Sequence, residues 1–276
     1  MTSDQPSDGS LAADVAPRLQ MALAAVREAS ATTLRWFNAA DLAVDEKADR
    51  SPVTEADRAA EALLRQRLLA AFPNDSFLGE ETGSAAGTSG FEWVVDPIDG
   101  TKSFIRGVPL YATLVGCRHE GRGVLGVIAI PALEELVYAG IGGGAWHVVG
   151  TAAPRRAQVS SRHRLAEGLL CTSDFTSFGR RADAGSRGEA ARSRLEKACL
   201  LSRTWGDGYG YLLVATGRAE VMVDPLMNAW DAAAVETVVT EAGGRFTDWD
   251  GRPRIDSGDG LASNGFVHEE ALRLLS

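Results

Sequence analysis

The chain has 276 residues, 45% of them hydrophobic and 24% charged, a composition that suits one large globular unit needing no disulfide to fold. A formal net charge of −9 argues against a non-specific nucleic-acid binder, which wants a basic face. No apolar run reaches the roughly 18–20 residues of a membrane span, and the polar N-terminus carries no signal-peptide pattern.

Residues 1–10 read as a disordered tail. From 11 to about 43 an Ala-rich stretch with Leu19, Leu23, Val26, Leu34 and Phe37 at near-helical spacing predicts one long amphipathic helix, its true start marked by Pro17. A charged break covers 45–52. A second helix is expected over 54–71, opened by Thr54 and Asp57 as a capping box and ended by Pro73. After Gly90 short β-rich runs at 91–95, 111–115, 123–129 and 135–139 predict consecutive strands, and the glycine-rich stretch 140–150 a hairpin that ends their sheet. Beyond 150 the pattern alternates: strand 169–171, a polar loop or helix start 176–188, helix 209–216, strand 219–223, helix 231–242, strand 244–247. The expectation is therefore an α+β half (11–150) and an α/β half (151–276) forming one compact α/β unit.

The chemistry concentrates at Trp93-Val94-Val95-Asp96-Pro97-Ile98-Asp99-Gly100-Thr101. A buried-type strand runs into two carboxylates around a proline, whose fixed φ stiffens the turn so that Asp96 and Asp99 can converge. Gly100 and Thr101 would then turn backbone N–H groups toward a phosphate. Alone, such a turn is more often structural. Two further carboxylate motifs at element boundaries, Gly79-Glu80-Glu81 and Trp230-Asp231, favour a metal site, and hard oxygen ligands suit Mg²⁺. Cys117, Cys171 and Cys199 lie far apart without a CxxC pair, so zinc is disfavoured and a reducing, cytoplasmic setting is expected. His119, His147, His163 and His268 show no ligand spacing and read as surface or loop residues. Arg180, Arg181, Arg187, Arg192 and Arg194 read as a solvated basic face.

Taken together, Pro52-Val53-Thr54-Glu55-Ala56-Asp57, Gly79-Glu80-Glu81, the 96–101 turn, and Trp230-Asp231 through Glu241-Ala242-Gly243-Gly244 resemble the inositol monophosphatase superfamily of metal-dependent phosphatases. The resemblance implies a layered α-β-α-β-α sandwich, a homodimer, and two or three Mg²⁺ ions, with Mn²⁺ as a substitute. It implies Glu80, Asp96 and the Ile98 carbonyl as ligands of a first metal, and Asp96, Asp99 and Asp231 as ligands of a second. A third ion would lie near Glu80. It also implies Thr101 and Asp57 as the pair that helps activate water, with Glu80 beside them in the catalytic set, and Gly100 and Thr101 as the phosphate cradle.

The second half, Arg203-Thr204-Trp205-Gly206-Asp207-Gly208-Tyr209-Gly210-Tyr211 and Asp224 through Asp231, looks most like the bacterial histidinol-phosphate phosphatases within that superfamily. That substrate carries an ammonium group, and Asp207 and Asp224 are its candidate partners. Arg203 and Asn228 are candidates for the phosphate or the imidazole edge, and Arg203 is equally expected in a structural ion pair. The same chemistry on inositol or sugar phosphates is the rival reading. A non-catalytic phosphometabolite-binding regulator is another, though no expected carboxylate is missing.

Overall fold

The computed structural model describes residues 8–40, 42–47, 52–181 and 185–276. The sequence-predicted tail thus lies outside the described residues except at 8–10, which already belong to the first helix. That helix, α1 (Asp8–Thr33), starts earlier and ends sooner than its apolar spacing suggests, and Pro17 sits inside it. A short hairpin, Val44–Glu46 with Pro52–Thr54, follows. Helix α2 (Glu55–Ala71) opens as expected: Thr54 caps it, and the Asp57 carboxylate accepts from the Thr54 backbone N–H.

Among the described residues the main strands form two sheets. The first has eight strands in the order Arg155–Arg156, Ala145–Val149, Glu135–Gly140, Arg122–Ile130, Ala112–His119, Phe91–Asp99, Ser76–Gly79, Gly83–Ala85. Every pairing is antiparallel except that of Ser76–Gly79 with Phe91–Asp99. The second has five, ordered Leu201–Arg203, Leu169–Cys171, Val221–Asp224, Gly260–Ser263, Arg245–Thr247, with the first three parallel. The glycine-rich stretch does form a turn, but the first sheet continues past it to Arg155–Arg156.

Each sheet buries both faces, so helices must cover them. On the outer face of the first sheet, α1 and α2 pack Val15, Ala22, Val26, Leu64 and Leu68 against Trp93, Val95, Val115 and Val127. Between the sheets lie α5 (Gly208–Ala215) and α6 (Ala229–Glu241), whose apolar surfaces are buried nearly all round. On the far face of the second sheet, α4 (Gly185–Ala198) and α7 (His268–Leu275) set Leu195, Ala271 and Leu275 against Leu170, Val221 and Leu261. The result is the α-β-α-β-α sandwich. The remaining helix, α3 (Thr101–Ile105), is a short turn at the end of the Phe91–Asp99 strand.

No helix among the described residues is long and apolar enough to cross a membrane. Two histidines differ from the surface expectation. His147 is buried, with Nε2 2.6 Å from Glu135 and Nδ1 accepting from Arg155. His268 is fully buried between Thr247 and Ser263. The glycine-rich turn is fixed as well, since Glu241 of α6 accepts from the N–H groups of Gly142 and Gly144.

Candidate active site

The parallel strand pair builds the first wall. Gly79 is in register with Val95, so the residues that follow, Glu80 and Asp96, leave adjacent strands side by side and in the same direction. Past Asp96 the register breaks before Asp99, and the chain turns. Three contacts hold this turn: the Ile98 N–H donates to Asp96 Oδ1 at 2.9 Å, the Thr113 hydroxyl to the Pro97 carbonyl at 2.9 Å, and the Thr101 hydroxyl to the Ile98 carbonyl at 3.1 Å. Beneath it the Ile98 side chain enters a small core with Ala56, Phe104 and Tyr111. Gly100 adopts φ +86°, a left-handed conformation that favours glycine, and leads into α3.

The second wall comes from the middle layer. At the start of α6, Asp231 accepts from the Asn228 N–H at 2.7 Å in a capping box. Its carboxylate, with those of Asp96 and Asp99, offers oxygens that all lie within 4.8 Å of one another. Removal from water and mutual repulsion push all three carboxyls up. For Asp96 burial leads, followed by the charges of Glu80 and Asp99. Burial also leads at Asp99, followed by Asp207 and Asp231. Asp231 is pushed up to about 7, by burial first and then by Glu80, against the Asn228 N–H. Three converging carboxylates that repel one another are the donor set a hard divalent cation would neutralise. The residues present fit a metal.

Glu80 stands beside this trio. Its Oε1 is 2.6 Å from Lys47 Nζ, which lies equally close to Glu81. Burial lowers the Lys47 ammonium, but the two glutamates outweigh it and hold the group above its ordinary value. The turn bearing both glutamates is anchored by Glu61 of α2, which accepts from the N–H groups of Glu81 and Thr82 and from the Thr82 hydroxyl. Glu61 is fully buried. On the other side Asp57 accepts from the backbone and hydroxyl of Thr54 at 2.8 and 2.6 Å, and its free oxygen faces the Thr101 hydroxyl at 3.4 Å. Burial raises the Asp57 carboxyl despite those bonds.

A cleft of about 750 Å³ opens over this group, bordered by Glu80, Gly100, Thr101, Asp207, Asp224 and Asn228 from the sequence-predicted set. Lys102, Ser173, Asp174 and Arg180 also border it. Asp174 is paired with Arg180 and accepts from Thr176, and these partners outweigh burial to hold its carboxyl low. Asp224 borders the cleft already held in place: one oxygen accepts from the Ser173 N–H at 3.1 Å, the other from the Tyr211 hydroxyl at 2.9 Å, and burial lifts it to about 6. Both oxygens are thus engaged. Arg203 does not border the cleft; it is exposed, lies 5.8 Å from the Trp205 ring centroid and donates to the Ser202 carbonyl.

Glu61, Ser173, Asp174 and Lys102 escaped sequence reading. Glu61 alone left a signal, as a charged residue on the apolar stripe of α2.

The model of the inositol monophosphatase family matches residues 14–276. The histidinol-phosphatase of Chlorobaculum parvum is 45% identical over 90% of this chain and 92% of its own, and that of Mycobacterium tuberculosis is 40% identical over 94% and 97%. Among solved structures, the extragenic suppressor protein suhB of Bartonella henselae superposes with a TM-score of 0.84 at 28% identity, covering 95% of this chain and 99% of its own. Members of the matched family are metal-dependent phosphatases, and a clustered carboxylate trio on the same sandwich is what such chemistry requires. The family model covers nearly the whole chain, and on that ground the chain belongs to the inositol monophosphatase family.

Proposed function

We propose that the chain hydrolyses L-histidinol phosphate to L-histidinol and phosphate with Mg²⁺ as its ion, a step of histidine biosynthesis in the cytoplasm. The observation that carries the substrate is Asp207: its carboxylate borders the cleft against the Gly100–Thr101 turn, where the ammonium group of a bound amino-alcohol phosphate can reach it. Relatives named histidinol-phosphatase at 39–45% identity support the same reading.

Glu80, Asp96, Asp99, Asp231 and the Ile98 carbonyl would hold two or three ions, which lower the pKa of water and neutralise the phosphate. The chain's own residues do the rest. Gly100 and Thr101 present backbone N–H groups to non-bridging oxygens and hold phosphorus in line for attack. A water seated against the Thr101 hydroxyl can pass a proton through it to Asp57, whose raised carboxyl is a better acceptor than a solvated aspartate. As the new P–O bond forms, the ester P–O bond breaks and the departing alkoxide takes a proton from solvent. Asn228 borders the leaving-group side, while Asp224 shapes that side from behind through Ser173 and Tyr211. Arg203, outside the cleft, serves the surface. Two copies in a homodimer, each with its halves 11–150 and 151–276 folded as one unit, complete the reading.

The test is phosphate release from histidinol phosphate, inositol 1-phosphate, fructose 1,6-bisphosphate and adenosine bisphosphate, with Mg²⁺ and with chelator. Histidinol phosphate should lead in kcat/KM by about tenfold or more, a difference of about 1.4 kcal/mol in transition-state binding. Asp99→Asn should reduce turnover to background with the fold intact. Preference for inositol 1-phosphate would overturn the substrate, and Mg²⁺-dependent turnover surviving in Asp99→Asn would overturn the site.

A further inference from the structure

Asp207 has φ +52° and ψ −156°, a region that residues with a Cβ rarely adopt and that glycine enters freely. Glycines surround it, at 206, 208 and 210, yet none of these three has a positive φ. They serve close packing instead. A Cβ on Gly206 would lie 2.2 Å from Ser173 Cα, one on Gly208 2.6 Å from the Ala112 Cβ, and one on Gly210 2.4 Å from the Met222 sulfur. Within 206–210 glycine thus stands where close packing demands it, while the residue whose backbone favours glycine is Asp207.

The strained conformation is clamped from outside. The Asp207 N–H donates to the Ser173 hydroxyl at 2.9 Å, and the Asp207 carbonyl accepts from the Gly210 N–H at 3.0 Å. Its consequence appears one residue later: the Gly208 N–H donates to Asp99 Oδ2 at 2.5 Å, a bridge from the middle layer to the 96–101 turn. The Asp207 carboxylate faces that same turn, 2.5 Å from where a Cβ on Gly100 would stand.

We infer that Asp207 is a positioning residue whose strained main chain sets the Asp99 carboxylate for metal binding while its side chain faces the leaving group, so that ion affinity and leaving-group choice are coupled through one residue. The inference deepens the proposed phosphatase reading and rests on it for the leaving-group half. The metal half stands on geometry alone. Glycine at 207 would relax the backbone, release the Gly208 N–H from its enforced direction, and remove the carboxylate. Asparagine would remove only the charge.

The experiment compares wild type, Asp207→Gly and Asp207→Asn by three readouts. With chelator present, Asp207→Gly should raise the thermal midpoint by about 2–4 °C over wild type, while Asp207→Asn stays within a degree or so. Calorimetric titration with Mn²⁺, without substrate, should give an affinity about threefold to tenfold weaker for Asp207→Gly and within about twofold of wild type for Asp207→Asn. Both variants should lose the preference for a cationic over a neutral phosphomonoester. Asp207→Gly with an unchanged or lower midpoint, or with wild-type Mn²⁺ affinity, overturns the inference, as does Asp207→Asn weakening Mn²⁺ as much as Asp207→Gly. If wild type releases no phosphate from any substrate, the phosphatase reading fails, while the midpoints and titrations still decide the positioning role.

Discussion

Glu61 sits on the buried face of α2 and commits both carboxylate oxygens to the turn that carries Glu80 and Glu81. Gly79 must be glycine for the same contact, because a Cβ there would lie 2.4 Å from Glu61 Oε1. A glutamine at 61 keeps the size but points an NH₂ at N–H donors, so one bond becomes a repulsion. Glu61→Gln should weaken Mg²⁺ binding about tenfold, the scale of supporting-residue effects at metal sites, measured by calorimetric titration. Unchanged affinity would remove Glu80 from the ligand set. His268 offers a test away from the site. Burial, with Arg245 nearby, lowers it from 6.5 to about 4. At about 1.4 kcal/mol per unit, its neutral form contributes about 3 kcal/mol. That contribution is fully present above pH 6.5, where folded and unfolded states are both neutral, and is lost as pH falls from 6.5 toward 4. His268→Gln should therefore show a flatter decline of the Mg²⁺-loaded thermal midpoint over that range. A decline as steep as wild type would assign the acid sensitivity elsewhere.

At the scale of elements, α1 is docked by an ion pair as well as by its apolar stripe. Arg18 makes two 2.9 Å bonds to Asp75, while its guanidinium lies 3.7 Å from the Phe91 ring centroid and 4.5 Å from that of Phe72. Asp75 also accepts from Ser89 and from the Trp93 indole, so this one carboxylate ties α1 to the loop and the sheet beneath. Arg18→Met preserves the stem but leaves a buried carboxylate short of its cation. The expected cost is about 3 kcal/mol, read as a lower urea midpoint, with turnover of the surviving folded fraction unchanged. These ties also show what sequence could disclose. The Thr54–Asp57 box and the 96–101 turn were legible because each is closed within a few residues, whereas the Asn228–Asp231 box, as short, was not read. Asp231 was read as opening α6, and Asn228 turns out to cap it. The extents of α1 and of the first sheet's edges were not legible, since Pro17 is tolerated under tertiary packing and short edge strands carry no period. Nor were Glu61, Ser173 and Arg18 as anchors: their partners lie 20, 34 and 57 residues away.

The whole molecule gathers the site from both sheets and the helices between and outside them, and a buried set of like charges is the outcome. The carboxyls of Asp96 and Asp99 are raised, and Asp231 is raised to about 7. Without an ion, the folded state therefore retains protons that the unfolded state releases. The stability this contributes is fully present below the ordinary carboxylate range and is lost as pH rises through about 7, the opposite sign to His268. With chelator the thermal midpoint should fall between pH 5 and pH 8, and saturating Mg²⁺ should abolish the fall. A midpoint insensitive to both would mean that the trio does not hold the ion.

The single parallel pairing in the first sheet reaches further than the site it builds. Two strands that run the same way cannot be joined by a tight turn, so the chain between Glu80 and Phe91 must reverse direction before it enters the second of them. It first folds back as the strand Gly83–Ala85, antiparallel to Ser76–Gly79 at the sheet edge, so that Glu80 and Glu81 lie in the turn between the two. Residues grafted into the hairpin turn would displace Glu80 and Glu81 and the bonds that Glu61 makes to Glu81 and Thr82. The fold thus leaves this sheet edge little freedom, because the turn that closes the hairpin is the one that carries the chemistry.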